Sequence, residues 1–155
     1  MRKLLITFGI FLIFLSCGFK PIYKMTSDDA TIDGYSVVVT NQVAREIIEE
    51  VNSTIVQSED QKYKALLTIY EDLTPLIVNT NGTVAKYRIE IEIKYELLKL
   101  DSDEVISKGT TRGFAQYDVT DSEIVNEDTR KSMTQIATKN AIQLMTSRIQ
   151  SSISR

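Results

Sequence analysis

The sharpest pattern of apolar and polar positions lies between Asn81 and Leu98. There Tyr87, Ile89, Ile91, Ile93, Tyr95 and Leu97 alternate with Arg88, Glu90, Glu92, Lys94 and Glu96. Successive side chains of a strand point to opposite faces, so one face is β-branched and aromatic while the other carries charges of both signs. Fully buried parallel strands read as continuous apolar runs instead. The pattern therefore predicts an antiparallel-type strand in a sheet covered on one side only. Asn81-Gly82, both tolerant of positive φ, predicts a two-residue type I′ turn before it and a partner strand ending near Asn79.

The rest of the chain supplies partners and cover for that strand. Tyr35 to Thr40 reads as a strand. Thr40 or Asn41 can cap a helix that places Val43, Ile47, Ile48, Val51 and Ile55 on one face. Gln57 to Lys62 is a polar loop, and Tyr63 to Val78 is long enough for a strand, or for two joined by a bulge. Its alternation falters at Glu71 and Pro75 removes a ladder donor, which predicts a bend near Asp72 to Pro75 and an edge location beyond it. Asp101-Ser102-Asp103 turns the chain into a more polar strand from Glu104 to Tyr117, so three runs make a meander. Asp121 or Ser122 can cap a last helix. It carries one apolar stripe through Met133, Ile136, Ala137, Asn140, Ala141 and Leu144 and a second through Ile142, Met145, Ile149 and Ile153, enough to touch both the sheet and the first helix.

The first sixteen residues read differently: a basic start at Arg2 and Lys3, an apolar run from Leu4 to Leu15, then Ser16. A run of about a dozen apolar residues suits the h-region of a secretory signal better than a membrane span. Leu15-Ser16-Cys17-Gly18 looks like a bacterial lipobox, in which a small residue precedes a cysteine that is lipidated and becomes the mature N-terminus. Phe14 departs from it, standing where that pattern usually has Leu, Val or Ile. The other reading of Cys17 is an ordinary buried thiol near the cleavage site. The expected organisation is a lipoprotein signal peptide over 1–16, a lipidated anchor and tether over 17–34, and a single α+β domain over 35–155. Several acyl chains hold a protein to a membrane stably where one does not, and Gly18 after the cysteine resembles lipoproteins sorted to the outer membrane. Phe19 to Tyr23, around Pro21, suits an edge strand or an extended segment leaving the anchor.

Composition narrows the chemistry. With 155 residues, 43% hydrophobic and 25% charged, the chain can bury one core. Loss of Arg2 and Lys3 by processing takes the net charge from −3 to −5. An acidic domain without a basic block lacks the phosphate-neutralising charge of a nucleic-acid binder. No histidine and a single cysteine exclude Ser-His-Asp and Cys-His catalytic sets, His-based zinc sites and an intrachain disulfide. Glu46, Glu49 and Glu50 could ligate a metal, but neighbouring carboxylates on the outer face of a helix are ordinarily solvated, and no metal or cofactor is expected beyond the lipid on Cys17.

Strand, helix, three-stranded meander and long helix behind a Cys17-Gly18-Phe19-Lys20-Pro21-Ile22-Tyr23 start resemble the LPS-assembly lipoprotein family, LptE. The likeness also runs through Asn81-Gly82, Ala85-Lys86-Tyr87-Arg88, the Arg112 to Tyr117 strand and Ala141-Ile142-Gln143-Leu144. The resemblance implies an α+β two-layer sandwich, two helices packed on one face of a mixed four-stranded sheet. It implies a non-enzymatic outer-membrane lipoprotein at the periplasmic face, sitting as a plug in an LptD-type β-barrel and helping to deliver lipopolysaccharide to the outer leaflet. Family members are thought to contact the glycolipid through basic residues in loops at one end of the sheet. Here the tip Thr80-Asn81-Gly82-Thr83 is uncharged, and Lys86 and Arg88 are the nearest candidates; as residues of a solvated strand face they also suit charge pairs with Glu90 and Glu92.

Two other classes compete. A lipid-anchored periplasmic ligand-binding or accessory protein of an envelope transport system would carry a concave apolar pocket between helix and sheet. An envelope enzyme would need carboxylates brought together from separate elements, Glu71 and Asp72 with Glu90 or Glu92.

Overall fold

The alternating stretch forms a strand over Val84–Lys99, the third of four in a computed structural model that describes residues 34–55 and 61–153. In chain order the described elements are β1 (Gly34–Val39), α1 (Arg45–Thr54), β2 (Gln61–Val78), β3 (Val84–Lys99), β4 (Val105–Asp118) and α2 (Glu123–Ile153). The leader, Cys17, the Phe19 to Tyr23 stretch and the tether as far as Asp33 lie outside the described residues. Strand order is β1-β2-β3-β4, with β1 parallel to β2 and the other two pairs antiparallel. The fold is thus an α+β sandwich of two helices on a mixed, open four-stranded sheet.

The core follows the period-2 pattern of β3. Ile89, Ile91, Ile93 and Leu97 are fully buried, and Ala65, Leu67 and Ile69 of β2 lie beside them through a register that pairs Leu67 with Tyr95 and Ile69 with Ile93. Each such aliphatic side chain contributes about 1.5–3 kcal/mol when fully removed from water. Ile47 and Val51 of α1 and Ile55 at its C-cap complete the cluster, as their helical spacing predicts, with Val43 packed against it, whereas Ile48 of the same predicted face stays half-buried outside the cluster.

α2 is seated differently from its predicted stripes. Its buried residues are Thr134, Ala137, Thr138, Ala141, Ile142, Met145 and Ile149, whereas Ile136 and Leu144 are 43% and 50% exposed and Asn140 is exposed as well. The reason is a close approach to β4. A Cβ on Gly113 would stand 1.9 Å from the carbonyl oxygen of Ala137, so helix backbone lies directly on strand backbone. Small residues are needed at that seam. Thr111 then donates its hydroxyl to the Ala141 carbonyl at 3.0 Å and Thr138 donates to that of Thr134 at 2.8 Å, which meets the hydrogen-bond demand of buried threonines.

Three local expectations change. Neither Thr40 nor Asn41 caps α1, whose N-cap is Ala44 without a side-chain hydrogen bond. Asn41 instead prolongs the sheet: its amide donates to the Ile69 carbonyl at 2.7 Å and its side-chain oxygen accepts from the Ile69 N–H at 3.0 Å. A side chain thereby replaces one rung of parallel ladder after β1 has ended. The β2–β3 hairpin is a three-residue loop rather than a type I′ turn. The Asn79 N–H donates to Thr83, the Gly82 N–H donates back to Asn79, and within this loop only Gly82 has positive φ, at 85°. That is a type I turn closed by a glycine bulge. The irregularity in β2 falls later than expected, between Pro75 and Val78. The predicted edge does form, because β1 pairs with β2 only as far as Leu67. At the start of α2, Ser122 accepts from the Val125 N–H at 3.5 Å, the predicted cap.

Candidate functional site

The uncovered face of the sheet is where charge gathers. Even-numbered positions of β3 point away from the helices, and the register sets Glu90 opposite Phe114, Glu92 opposite Arg112 and Arg88 opposite Gln116 on β4. Across β2 the same positions face Asp72, Tyr70 and Thr74. β3 and the strands on either side of it therefore make one lattice of acids, bases and rings.

Arg112 is its hub. Its Nε lies 3.1 Å from Glu90 and its guanidinium also donates to Glu92, through Nε at 2.8 Å. Lys94 approaches Glu92 at 3.7 Å and sits 4.9 Å over the Tyr70 ring. The Arg112 hydrogen bond holds the Glu92 carboxyl below its ordinary range against a smaller opposing effect of burial, and Glu92 in turn raises Arg112. Such pairing locks both groups in their charged forms near neutral pH. A general acid needs the opposite.

Lys86 lies 3.1 Å from Asp118, across the β3–β4 ladder. Arg88 rests 4.2 Å over the Phe114 ring with Glu90 at 3.8 Å. Both are on the same face, half-buried, and already partnered. Of the carboxylates an enzyme would combine, Asp72 stands directly opposite Glu90, but Glu71 is opposite Ile91 and belongs to the covered face. There it accepts from the Thr134 hydroxyl at 3.2 Å and pairs with Arg130 at 3.4 Å. The break in alternation at Glu71 is thus a polar anchor for α2, and Glu71 is not brought together with Glu90 or Glu92. On α1, Glu49 pairs with Arg45 and Glu50 accepts from Thr54.

Among the described residues, two concavities bear on this face and its edge. One of about 440 Å³ opens on the uncovered face between Leu66, Thr68, Lys94, Glu96, Lys108 and Thr110. The other, about 320 Å³, lies between the β1–α1 connection and the β2 edge, lined by residues that include Asn41, Val43, Ile47, Ile69 and Glu71. Sequence reading missed Arg112, Phe114 and Tyr70. Their even spacing with Gln116 and with Asp72 was visible, yet only strand register shows that they meet Glu92, Arg88 and Lys94.

Comparison with known proteins places the fold. Neither a protein-family model nor a curated protein matches the chain significantly by sequence. Among solved structures, a provisionally assigned lipoprotein from Caulobacter crescentus aligns with TM-score 0.61 and 15% identity over 77% of this chain and 90% of its own. An uncharacterised lipoprotein B from Nitrosomonas europaea aligns with TM-score 0.57 and 13% identity, over 77% and 83%. Rare lipoprotein B from Shewanella oneidensis follows at 0.48, with 17% identity over 74% and 94%. At these identities the likeness to the first two is one of fold: the chain has the α+β sandwich found in solved lipoproteins.

Proposed function

We propose that this chain is a lipid-anchored, non-catalytic subunit of an outer-membrane assembly, held at the periplasmic face through Cys17 and docked as a plug in an LptD-type β-barrel that passes lipopolysaccharide to the outer leaflet. The observation that carries this reading is the uncovered sheet face. At its centre Arg88, Glu90, Glu92, Lys94 and Arg112 are satisfied by one another, so this part of the face can enter a polar enclosed space with its charges paired, and barrel interiors are polar. The lipobox-like stretch ending at Cys17, the fold shared with solved lipoproteins and the resemblance to the LptE family point the same way. Lys86 and Arg88 remain the candidates for glycolipid contact. They would exchange Asp118 and Phe114 for the anionic groups of the ligand.

The test is copurification. A C-terminally tagged full-length chain, extracted from outer membranes in mild detergent, should bring down a large barrel protein in stoichiometric amount, identified by mass spectrometry, and Cys17 should carry acyl chains. Recovery as a free monomer would count against the subunit reading. A lipid-anchored ligand-binding or accessory role would use the groove beside Asn41 to Ala44, where Asn41, Gln42 and Glu71 share the lining with Val43. That reading predicts release of a small apolar ligand on denaturation.

A further inference from the structure

The far end of the β2–β3 hairpin is unlike the rest of the molecule. From Leu73 to Ala85 no residue carries a charge, in a chain that is 25% charged, and Asp72 and Lys86 bracket the gap. The same segment outgrows its sheet. β1 stops pairing at Leu67 and β4 begins its pairing with β3 at Lys86, opposite Ile77, so the tip from Val78 to Val84 is a two-stranded ribbon. Such ribbons are marginal in water unless something packs on them. Yet Leu76, Ile77 and Val78 are 42%, 50% and 57% exposed, and Ile124 and Val125 at the start of α2, on the same end of the sheet, are 77% and 49% exposed. Val119, just before α2, is tied to this end by its N–H to the Ala85 carbonyl. Exposed apolar side chains gathered at one end of a domain, here one group on β2 and one at the start of α2, mark an interaction surface.

The charges around the arm select its occupant. Asp118, Asp121, Glu123, Glu127 and Asp128 are all exposed at the start of α2 or just before it. Lys86 answers Asp118 and Lys131 answers Glu127, while Asp121, Glu123 and Asp128 have no ion pair among the described residues. An acidic collar is repelled by an anionic lipid surface and by the same collar on a second copy of this chain. It is attracted to a protein surface that offers an apolar slot rimmed by lysine and arginine.

We infer that the uncharged hairpin arm, with Ile124 and Val125, is the docking element by which this chain engages its protein partner, inserted into an apolar slot with a basic rim. The inference rests on the subunit reading above and adds the arm, beside the charged sheet face, as the point of attachment. Leu76, Ile77 and Val78 supply the apolar contact, and the collar sets its orientation and association rate.

The test uses the full-length tagged chain in its own envelope, with a photoreactive phenylalanine analogue at Ile77, at Ile124 or, on the uncovered face, at Gln116. Crosslinks from Ile77 and Ile124 to the same large barrel protein that copurifies support the arm as docking element. Crosslinks from Gln116 alone, or from Ile77 to lipid or to a second copy, overturn it while leaving the barrel association intact. Failure of any barrel to copurify overturns both. A second measurement guards against loss of folding: I77D should lower the copurified partner about tenfold, as for loss of an interface hot spot, with an unchanged thermal midpoint. Undiminished partner recovery from that variant would refute the assignment. Glu123→Lys should weaken association, more so at low salt, and no effect on association would refute the role of the collar.

Discussion

The two faces of β3 share a backbone, a register and an alternating sequence, and they differ in what holds them. On the covered face Ile89, Ile91, Ile93 and Leu97 have no accessible surface, and α2 approaches so closely that its Ala137 carbonyl touches the place where a Gly113 side chain would be. On the uncovered face Arg112, Glu90, Glu92 and Lys94 satisfy one another while still in contact with water. Packing is unforgiving because interiors have crystal-like density, whereas exposed ion pairs exchange readily with solvent. One face therefore stores the stability of the domain. The other is free to serve a partner.

Substitutions should expose that asymmetry in order of severity. Gly113→Val drives a side chain into helix backbone, and we expect the variant to fail to reach the native fold. Native near-ultraviolet dichroism from that variant would mean that α2 can lift from β4 at little cost. Ile91→Ala, at a fully buried position, should cost about 2–5 kcal/mol by urea unfolding. A value below that of a surface variant would erase the distinction between the faces. Asn41→Ala removes two hydrogen bonds to Ile69 and should cost about 1–2 kcal/mol, with faster amide exchange confined to the neighbourhood of Thr40 and Ile69.

The smallest effect belongs to the uncovered face. The Glu92 carboxyl is held below its ordinary 4.5 in the folded chain, so its contribution to stability is complete above that value and is lost as pH falls through the folded value. Glu92→Gln should leave the midpoint of thermal unfolding almost unchanged at pH 7 and make unfolding below pH 4.5 less steeply pH-dependent. A large loss at neutral pH would show that the charge lattice is structural rather than a surface held in reserve.

Periodicity alone reached far into this fold. The alternation of β3 specified a strand, its buried face and one-sided cover, because side-chain direction in a strand has period 2 whatever the surroundings. Spacing in α1 named Ile47, Val51 and Ile55 for the core, and Ser122 was readable as a cap. What depended on tertiary contact was legible only in part. Thr134 and Thr138 are polar and were passed over as core, since their hydroxyls find partners only once α2 is in place. Asn41 has the composition of a helix cap, but a free β2 edge offered its amide a better match. Glu71 looked like a fault in a strand until Arg130 and Thr134, some sixty positions away, were seen to meet it. The members of the charge lattice were plain as residues. Arg88 with Glu90 and Lys94 with Glu92 are neighbours along β3, but the pairs that tie β3 to β4 were decided by register, which couples positions twenty or more apart: Glu92 meets Arg112 because β4 returns beside β3 in one particular alignment, and a slip of a single residue would turn Arg112 toward the core.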